Sequence, residues 1–265
     1  MKIEIRKKQG DLVQITTPDE RWYPNKPLKE IEELASLSQE DFYPSSTWIC
    51  SYYPKGKQYM KWLADKGWDN AEEIKNAAGE KGSRVHHACD DLMEGNEVKI
   101  DAQYPDKDGE MAELTAEEYW TCMTFRKFLE DEQPEILGIE YTLLNHEHKY
   151  AGTVDIKCRI KSDNYEAVWI LDIKTSADVY PSHEIQVSSY KEADRECEKI
   201  GIIQVGYKRN KNGYKFTEIQ PQFDVFLAAR RIWQKETEGV LIPQRLYPSS
   251  LQWTPVKVER KKKTA

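Results

Sequence analysis

Residues 135–176 contain three apolar runs separated by short polar turns, and this arrangement constrains the fold more than any other feature of the sequence. The runs are EILGIEYTLLN, AGTVDIKCRIK and AVWILDIKTS. Runs of this length, bounded by turn residues, predict three consecutive strands that pair as a meander. The apolar start of the third run predicts a buried strand, which makes the charged residues at its end conspicuous.

Helical patterns surround these strands. TAEEYWTCMTFRKFLEDEQ precedes them, with Thr115 and Glu118 at the spacing of a capping box, and PSHEIQVSSYKEADREC follows them. A hairpin with Asn212 and Gly213 at its turn and a last amphipathic helix, FDVFLAARRIWQKETEG, complete the pattern. The order of helices, strands, helix, strands and helix predicts an α/β fold with a central mixed β-sheet flanked by helices.

The N-terminal region is predicted to be helical after a short β-like opening. An acidic helix is expected at residues 28–37, and Ser45 or Ser46 can cap a short helix that follows. Residues 57–66 and 70–95 both have the spacing of amphipathic helices.

The second of these helical patterns is expected to break near residues 79–82, where two glycines occur. We divide the chain into an N-terminal region (1–75), a core (76–245) and a basic tail (246–265). The tail is either a solvated end or an arm that contacts phosphates.

Charge and cysteine content bear on the class of protein. A net charge of -7 argues against a protein that coats nucleic acid nonspecifically, but an enzyme can cut nucleic acid in a local basic groove. The five cysteines form no CxxC pair, so neither a disulfide framework nor a zinc knuckle is expected. No apolar run approaches the about 18 residues of a membrane span, and MKIEIRKKQGD lacks a secretory signal, so we expect no membrane partner and a cytoplasmic location.

Asp172 and Lys174 stand two positions apart at the end of the third predicted strand. In a strand such residues point to the same side, whereas Ile173 between them faces into the packing. Asp155 lies on the preceding strand, after Gly152, which allows a bend or a close backbone approach. If the two strands are neighbours, Asp155 and Asp172 meet at one end of the sheet and form a site for a hard divalent cation.

A lysine beside two carboxylates suits phosphodiester hydrolysis. A divalent cation acidifies water and polarises the phosphate, and the Lys174 ammonium can position that water or stabilise the transition state. Two features distinguish Asp172 and Lys174 from a chance match. They are the apolar strand before Asp172 and the neighbouring strand that carries Gly152 and Asp155. The spacing acid-x-Lys is weak on its own, because a salt bridge explains it equally well at positions 73, 97, 147, 155 and 259.

Two predicted helices, one before these strands and one after them, carry polar residues that are further candidates for the site. Gln186 and Tyr190 share one helix face, although two incidental polar residues on an amphipathic helix would show the same spacing. His86 lies beside the apolar stripe of GSRVHHACDD and can face a cleft as a metal ligand, whereas His87 is predicted to point toward solvent. A purely structural histidine is the alternative.

Five short motifs occur together: G-S-x-x-H (82–86), E-Y-x-L (140–143), G-T-V-D (152–155), D-I-K-T-S (172–176) and Q-x-x-x-Y (186–190). In this combination and order the sequence resembles the RecB-like branch of the PD-(D/E)XK nucleases, in the style of phage and mitochondrial-genome-maintenance exonucleases. The stretch YPSSTWI near residue 43 also resembles such proteins, so the likeness covers about residues 43–233. It implies a restriction-endonuclease-like core and a metal-dependent exonuclease that acts on DNA ends in recombination, repair or phage DNA processing.

The resemblance also implies a metal-binding set. Asp155 and Asp172 would bind the catalytic metal, with the Ile173 carbonyl as a further ligand and His86 completing the site. Lys174 would be the catalytic lysine. The ion would be Mg²⁺, which suits carboxylates and phosphate, or Mn²⁺, toward which the imidazole tilts the choice, and one or two ions could bind.

Further roles follow from the same resemblance. Glu140 would be a ligand through water or an organiser of the lysine. Gln186 and Tyr190 would orient the lysine or contact DNA near the scissile phosphate. Thr175 and Ser176 could donate hydrogen bonds to phosphate oxygens.

The sequence departs from the family pattern at one motif, and it lacks the motifs of two cofactors. No proline precedes Asp155, although Gly-Thr-x-Asp is usual in this branch. No cysteine follows Cys197, so the iron–sulfur cluster of some relatives is not expected, and the absence of a Walker loop argues against a bound nucleotide.

DNA, through its single- or double-stranded ends, is the partner that the resemblance implies, and a single-strand annealing protein is a possible second one. The location implied is the cytoplasm of a bacterial or phage-infected cell. Two alternatives stay open: a catalytically silent nuclease-fold protein that binds DNA or serves as a scaffold, and a structure- or site-specific endonuclease.

Several aromatic and cationic residues admit two interpretations. Either the aromatic residues pack in the core or some of them stack on unpaired bases; they are Trp48, Tyr52, Tyr53, Tyr59, Trp62 and Trp68. Either the cations contact phosphates or they are solvated surface residues; they are Lys55, Lys57, Lys61, Lys208, Arg209 and Lys211. Of these, Lys55 and Lys57 are assigned to DNA binding.

Overall fold

From residue 116 onward, the helices and strands occur in the order that the sequence pattern predicts. The computed structural model describes residues 4–7, 12–16, 20–27, 29, 37–162, 165–238 and 252–253. The elements up to the first long helix are β1 (Glu4–Lys7), β2 (Val13–Thr16), β3 (Arg21–Pro24), β4 (Phe42–Pro44), α1 (Ser46–Ser51), α2 (Lys57–Lys66) and α3 (Trp68–Glu94). The elements after it are β5 (Gln103–Pro105), β6 (Met111–Glu113), α4 (Ala116–Glu132), β7 (Glu135–Asn145), β8 (Tyr150–Ser162), β9 (Tyr165–Lys174), α5 (Pro181–Ala193), β10 (Lys199–Val205), β11 (Tyr214–Ile219) and α6 (Phe223–Glu236).

The central sheet is mixed, as predicted. Among the described residues it has five strands in the order β11-β10-β9-β8-β7. β7, β8 and β9 form the predicted antiparallel meander, and β10 pairs with β9 in parallel and with β11 antiparallel. The parallel pair requires a crossover, which α5 provides.

Helices cover both faces of this sheet, so β9 is buried on each side. Leu171 belongs to a core cluster that includes Val85 of α3 and Phe125 of α4. Ile170 belongs to a different cluster, with Val187 of α5. Successive side chains of β9 therefore pack against helices on opposite faces of the sheet, which explains why AVWIL is apolar at every position.

The N-terminal strands form a separate small sheet, β1-β2-β3-β4, which joins the central sheet through a bridge between Ser45 and Ala151. Trp22 and Trp48 have ring centroids 5.0 Å apart, and Trp48 lies 5.2 Å from Trp233 of α6. Edge-to-face aromatic packing of this kind stabilises the attachment of the N-terminal region. The packing interpretation is thus confirmed for Trp48.

Two local predictions hold and one fails. Ser45 is the N-cap of α1 and accepts a hydrogen bond from Trp48 N, and Thr115 and Glu118 form the capping box of α4. The predicted break near residues 79–82 is wrong, because α3 runs without interruption from Trp68 to Glu94. A helical glycine disfavours the helix by only about 1 kcal/mol, and the flanking helix formers outweigh it.

Other segments differ in detail from the sequence prediction. The domain boundary after residue 75 falls inside α3. Residues 96–113, whose polar sequence predicts a loop, contain the two short strands β5 and β6. The hairpin between β10 and β11 has an eight-residue loop, 206–213, instead of a tight turn.

Some predictions cannot be compared with the structure. The acidic helix at 28–37 lies outside the described residues except for 29 and 37, and most of the basic tail lies outside them as well. All five cysteines are described and are buried free thiols. In the part of the chain that the structure describes, no helix is both long and apolar enough to cross a bilayer.

A buried ion pair joins α3 to α4. Oε1 of Glu118 accepts hydrogen bonds from Nε and Nη2 of Arg84, at 3.1 and 2.7 Å, and its Oε2 accepts one from Thr115 N. Burial alone would raise the pKa of Glu118, but the bonds from Arg84 and Thr115 outweigh it and lower the pKa below the ordinary value of 4.5. The folded state therefore favours the carboxylate.

We expect Glu118→Gln to lower the free energy of unfolding by about 2–4 kcal/mol at pH 7, since Arg84 would lose its buried partner. A carboxylate with a lowered pKa contributes stability that is complete above the unfolded pKa and is lost as the pH falls through the folded one. The difference between the two proteins should therefore shrink below about pH 4.5. Denaturant unfolding at pH 7 and at pH 4 measures this.

Glu130→Gln is the matched control, because Glu130 forms an exposed pair with Arg126 on the same helix. An exposed pair one helix turn apart contributes only about 0.3–0.5 kcal/mol. Equal losses for the two variants would contradict the role assigned to Glu118.

Candidate functional site

The two aspartates predicted to converge do so where β8 and β9 separate. The ladder between these strands ends at the pair Ile156 and Leu171, and the next residue on each strand is Asp155 and Asp172 respectively. Oδ2 of Asp155 accepts a hydrogen bond of 2.7 Å from the backbone N–H of Ile173. A side chain thus replaces a bond of the ladder at the point where the strands part.

Lys174 lies beside Asp172, as the strand alternation predicts. Its Nζ is 2.6 Å from Oδ2 of Asp172, whose side chain is only 3% exposed. Burial raises the pKa of Asp172 to about 6, the lysine opposes this rise, and Asp155 adds to it. The pKa of Lys174 is raised despite its burial, because Asp172 and Asp155 both favour the ammonium.

His86 reaches the same carboxylates from α3. Its Nδ1 is 3.6 Å from Oδ1 of Asp155, and the neighbouring Val85, Ala88 and Cys89 anchor the helix in the core. Burial disfavours the charged imidazole, but Asp155 outweighs this effect and raises the pKa of His86 to about 9.

The positive charges around Asp155 lower the pKa of its carboxyl group. Burial would raise the pKa of Asp155, but His86 and Lys174 lower it below its ordinary range. His87 lies on the outer side of α3, with 40% of its side chain exposed, as predicted. The site thus contains two carboxylates, one ammonium and one imidazole.

Gln186 and Tyr190 share a face of α5, as predicted, but that face is buried. Nε2 of Gln186 donates to the Tyr190 hydroxyl at 2.8 Å and lies 3.2 Å from Oγ1 of Thr47 in α1. The Tyr190 ring packs against Gly152 so closely that a Cβ there would lie under 3.0 Å from it. Tyr190 therefore packs against β8 three residues before Asp155. Burial and the charges of Asp172 and Asp155 raise the pKa of its hydroxyl, so the ring also lies near the two carboxylates.

The other predicted residues have different environments. Glu140 lies on β7 between Ile139 and Tyr141, which both pair with β8, and its backbone is left-handed with φ of 49°. Non-glycine residues rarely adopt this conformation, so the strand is distorted here. Ile173 has a fully buried side chain, as predicted.

The other predicted DNA-contacting residues lie in two places, the loop directly after β9 and the start of α2. Oγ of Ser176 donates to Asp178 O at 2.9 Å, which ties the loop after β9 to itself. Thr175 is partly exposed beside α3. Lys55 and Lys57 are exposed at the start of α2, and Nζ of Lys55 lies 6.0 Å from the centroid of the Tyr59 ring.

Sequence reasoning missed two residues near the site. Gln204 on β10 is opposite Lys174, is 2% exposed, and donates from Nε2 to Ser176 O and Ala177 O at 3.1 and 2.9 Å. A glutamine within the apolar run IGIIQV was the available signal. His183, three residues before Gln186, has its pKa lowered to about 3 by burial and by the charges of Lys174 and Lys55.

The donor set fits a hard divalent cation, although the side chains are not gathered around one. Among the described residues, no three His, Cys, Asp or Glu side chains are arranged as a group that could hold a metal ion. Oδ2 of Asp172 is buried and accepts no hydrogen bond of regular geometry from those residues, although the ammonium is close. Two carboxylates and an imidazole are ligands that Mg²⁺ and Mn²⁺ accept.

Comparisons with known proteins leave the assignment open. No protein-family model matches the sequence, and no curated protein matches it. A solved structure titled "Crystal structure of SSO0001" is similar, with 15% identity and a TM-score of 0.29, over 49% of this chain and 64% of that one. The alignment thus spans less than two thirds of that protein, and a likeness at this level defines neither a fold nor a function.

Proposed function

We propose that this chain is a metal-dependent deoxyribonuclease with a PD-(D/E)XK core of the RecB-like branch, and that it degrades DNA from its ends. The observation that supports the proposal best is the grouping of Asp155, Asp172, Lys174 and His86 where β8 and β9 part. The preference for ends over internal sites comes from the sequence resemblance.

Asp155, Asp172, His86 and the Ile173 carbonyl are the groups that would hold Mg²⁺ or Mn²⁺. When bound, such an ion supplies Lewis-acid chemistry, since it polarises a phosphate oxygen and makes water more acidic. The backbone N–H of Ile173 holds one oxygen of Asp155 in place, so that carboxylate enters the reaction already oriented.

Lys174 would act on the charge that develops at the phosphate. Its ammonium is held 2.6 Å from Asp172 and its side chain is only 20% exposed, so little reorganisation is needed when negative charge develops nearby. Gln204 holds the carbonyls of the two residues after Thr175, which positions the loop directly after the lysine.

End-labelled linear DNA and closed-circular DNA, each single- and double-stranded, test the proposal when incubated with Mg²⁺, with Mn²⁺ and with EDTA. We expect linear substrates to be degraded only with a divalent ion and closed circles to stay intact. Discrete fragments from closed circles would favour an endonuclease. No degradation with either ion would refute the proposal.

A further inference from the structure

The loop between β10 and β11 carries several positive charges. It lies at the same end of the central sheet as the site. Lys208, Arg209 and Lys211 are exposed in this loop. Because β9 and β10 are parallel and Lys174 is opposite Gln204, the loop begins beside the end of β9. Together with Lys81 of α3, these three residues form what we call the basic loop surface.

The loop is preorganised by contacts with α4 and within itself. Gly206 N donates to Oγ1 of Thr124 at 2.8 Å, and Tyr207 N donates to Gly213 O at 2.6 Å. Gly206 and Gly213 have φ of 66° and 75°, and a Cβ at either would collide with a threonine of α4. The cations are therefore presented from a fixed backbone, which reduces the entropy lost on binding.

Positive charge exceeds negative charge on this surface. Lys81 and Lys208 share one carboxylate, that of Glu117, at 3.2 and 2.8 Å. Arg209 pairs with Asp178 at 2.7 Å. Four cations thus face two carboxylates in a chain whose net charge is -7.

The surface is continuous with the site. Lys81 precedes Gly82, where a Cβ would lie 3.8 Å from Oγ1 of Thr175, the residue after Lys174. Asp178, the partner of Arg209, belongs to the same loop after β9. By contrast, the first two turns of α3, further along the helix from His86, carry the acidic residues Asp69, Glu72 and Glu73.

We propose that the basic loop surface binds the phosphate backbone of duplex DNA that flanks the scissile bond. This inference rests on the proposed function and deepens it. Duplex DNA is favoured over single strands because single-strand binding uses open aromatic rings, and the guanidinium of Arg209 already lies 5.9 Å from the ring centroid of Tyr207. Lysines that contact phosphates fix the register of a duplex without reading its sequence.

The double variant K208E/R209E tests the proposal against the matched control R126E/K127E. Each variant reverses two charges, and each turns two exposed ion pairs into repulsions, with Glu117 and Asp178 in the first and with Glu130 and Asp131 in the second. Binding of a fluorescent duplex and of a single strand is measured by anisotropy in EDTA at several salt concentrations, with thermal melts of every protein.

We expect K208E/R209E to weaken duplex binding about tenfold or more at low salt, and the slope of log K against log salt to fall by about 2, since each phosphate contact contributes about 0.9. The control should bind within about twofold of the natural protein. Equal losses in the two variants, unchanged duplex binding, or an equal loss of single-strand binding would overturn the inference.

These outcomes separate the inference from the proposed function. If the natural protein binds duplex DNA through the loop but never degrades it, the nuclease proposal fails and the loop assignment stands. If it degrades DNA and K208E/R209E binds duplex DNA like the control, the loop assignment fails alone.

Discussion

Lys174→Ala is expected to reduce DNA degradation by about 10²–10³-fold or more, because it removes a preorganised charge from the reacting phosphate. On the proposed function, DNA binding in EDTA should change little, since phosphate contacts elsewhere would supply most of the affinity. The rate of loss of end label from linear duplex DNA, measured with saturating Mg²⁺ or Mn²⁺, gives the comparison.

The chain offers a close control in its second D-I-K sequence. Lys157 follows Asp155 as Lys174 follows Asp172. It is more deeply buried than Lys174, and its Nζ pairs with Asp194 and Glu196 at 2.7 and 2.9 Å. Lys157→Ala should therefore lower the free energy of unfolding by up to about 3 kcal/mol without changing the rate of degradation by folded protein.

The two lysine variants together separate catalysis from folding. Loss of activity in both would point to a general effect of removing a buried lysine from this sheet. Full activity in Lys174→Ala would rule out the assignment of the site.

Gly152→Ala is expected to disrupt the packing of Tyr190 against β8 next to Asp155. The added methyl would lie under 3.0 Å from Cε1 of Tyr190, which is itself bonded to Gln186 and cannot retreat from the buried face of α5. Overpacking of this kind destabilises by about 1–3 kcal/mol. We also expect at least about a tenfold loss of activity, because a misplacement of about 1 Å at a site of this kind has large effects on rate.

Gly79→Ala is the control for this change. Gly79 lies inside α3, and an added Cβ would meet only the flexible side chain of Lys107, 3.2 Å away. Alanine there should be neutral or stabilise by up to about 1 kcal/mol. Thermal melts and degradation rates of both variants test the prediction, and a Gly152→Ala protein as stable and active as the natural one would contradict it.

The main features of the sheet were readable from the sequence because strand alternation is local. Two positions separate Asp172 from Lys174, so their shared side follows from the period of a strand. The same rule predicted the buried Ile173. The distribution of the aspartates over two neighbouring strands required only that the strands form a meander.

Features that depend on tertiary contacts were not readable. The spacing of Gln186 and Tyr190 predicted a common helix face, but only the packing against Gly152 determines that this face is buried. The uninterrupted course of α3 through Gly79 and Gly82 has a local cause, since the helix formers around the two glycines outweigh their preference for a break. Gln204 was overlooked because its role depends on a loop of a neighbouring strand.

Asp155 accepts a backbone hydrogen bond and is also a proposed metal ligand, and the first role limits the number of oxygens available to a cation. One of its oxygens, Oδ2, already accepts the amide hydrogen of Ile173, which leaves Oδ1, the oxygen 3.6 Å from Nδ1 of His86, as the donor atom for an ion. Calcium favours six to eight oxygens and often takes both from one carboxylate, whereas magnesium prefers a compact octahedron of single donors. If the proposed ion binds here, a carboxylate restricted in this way would discriminate between ions by coordination number, and the backbone hydrogen bond of Ile173 would then determine ion selectivity.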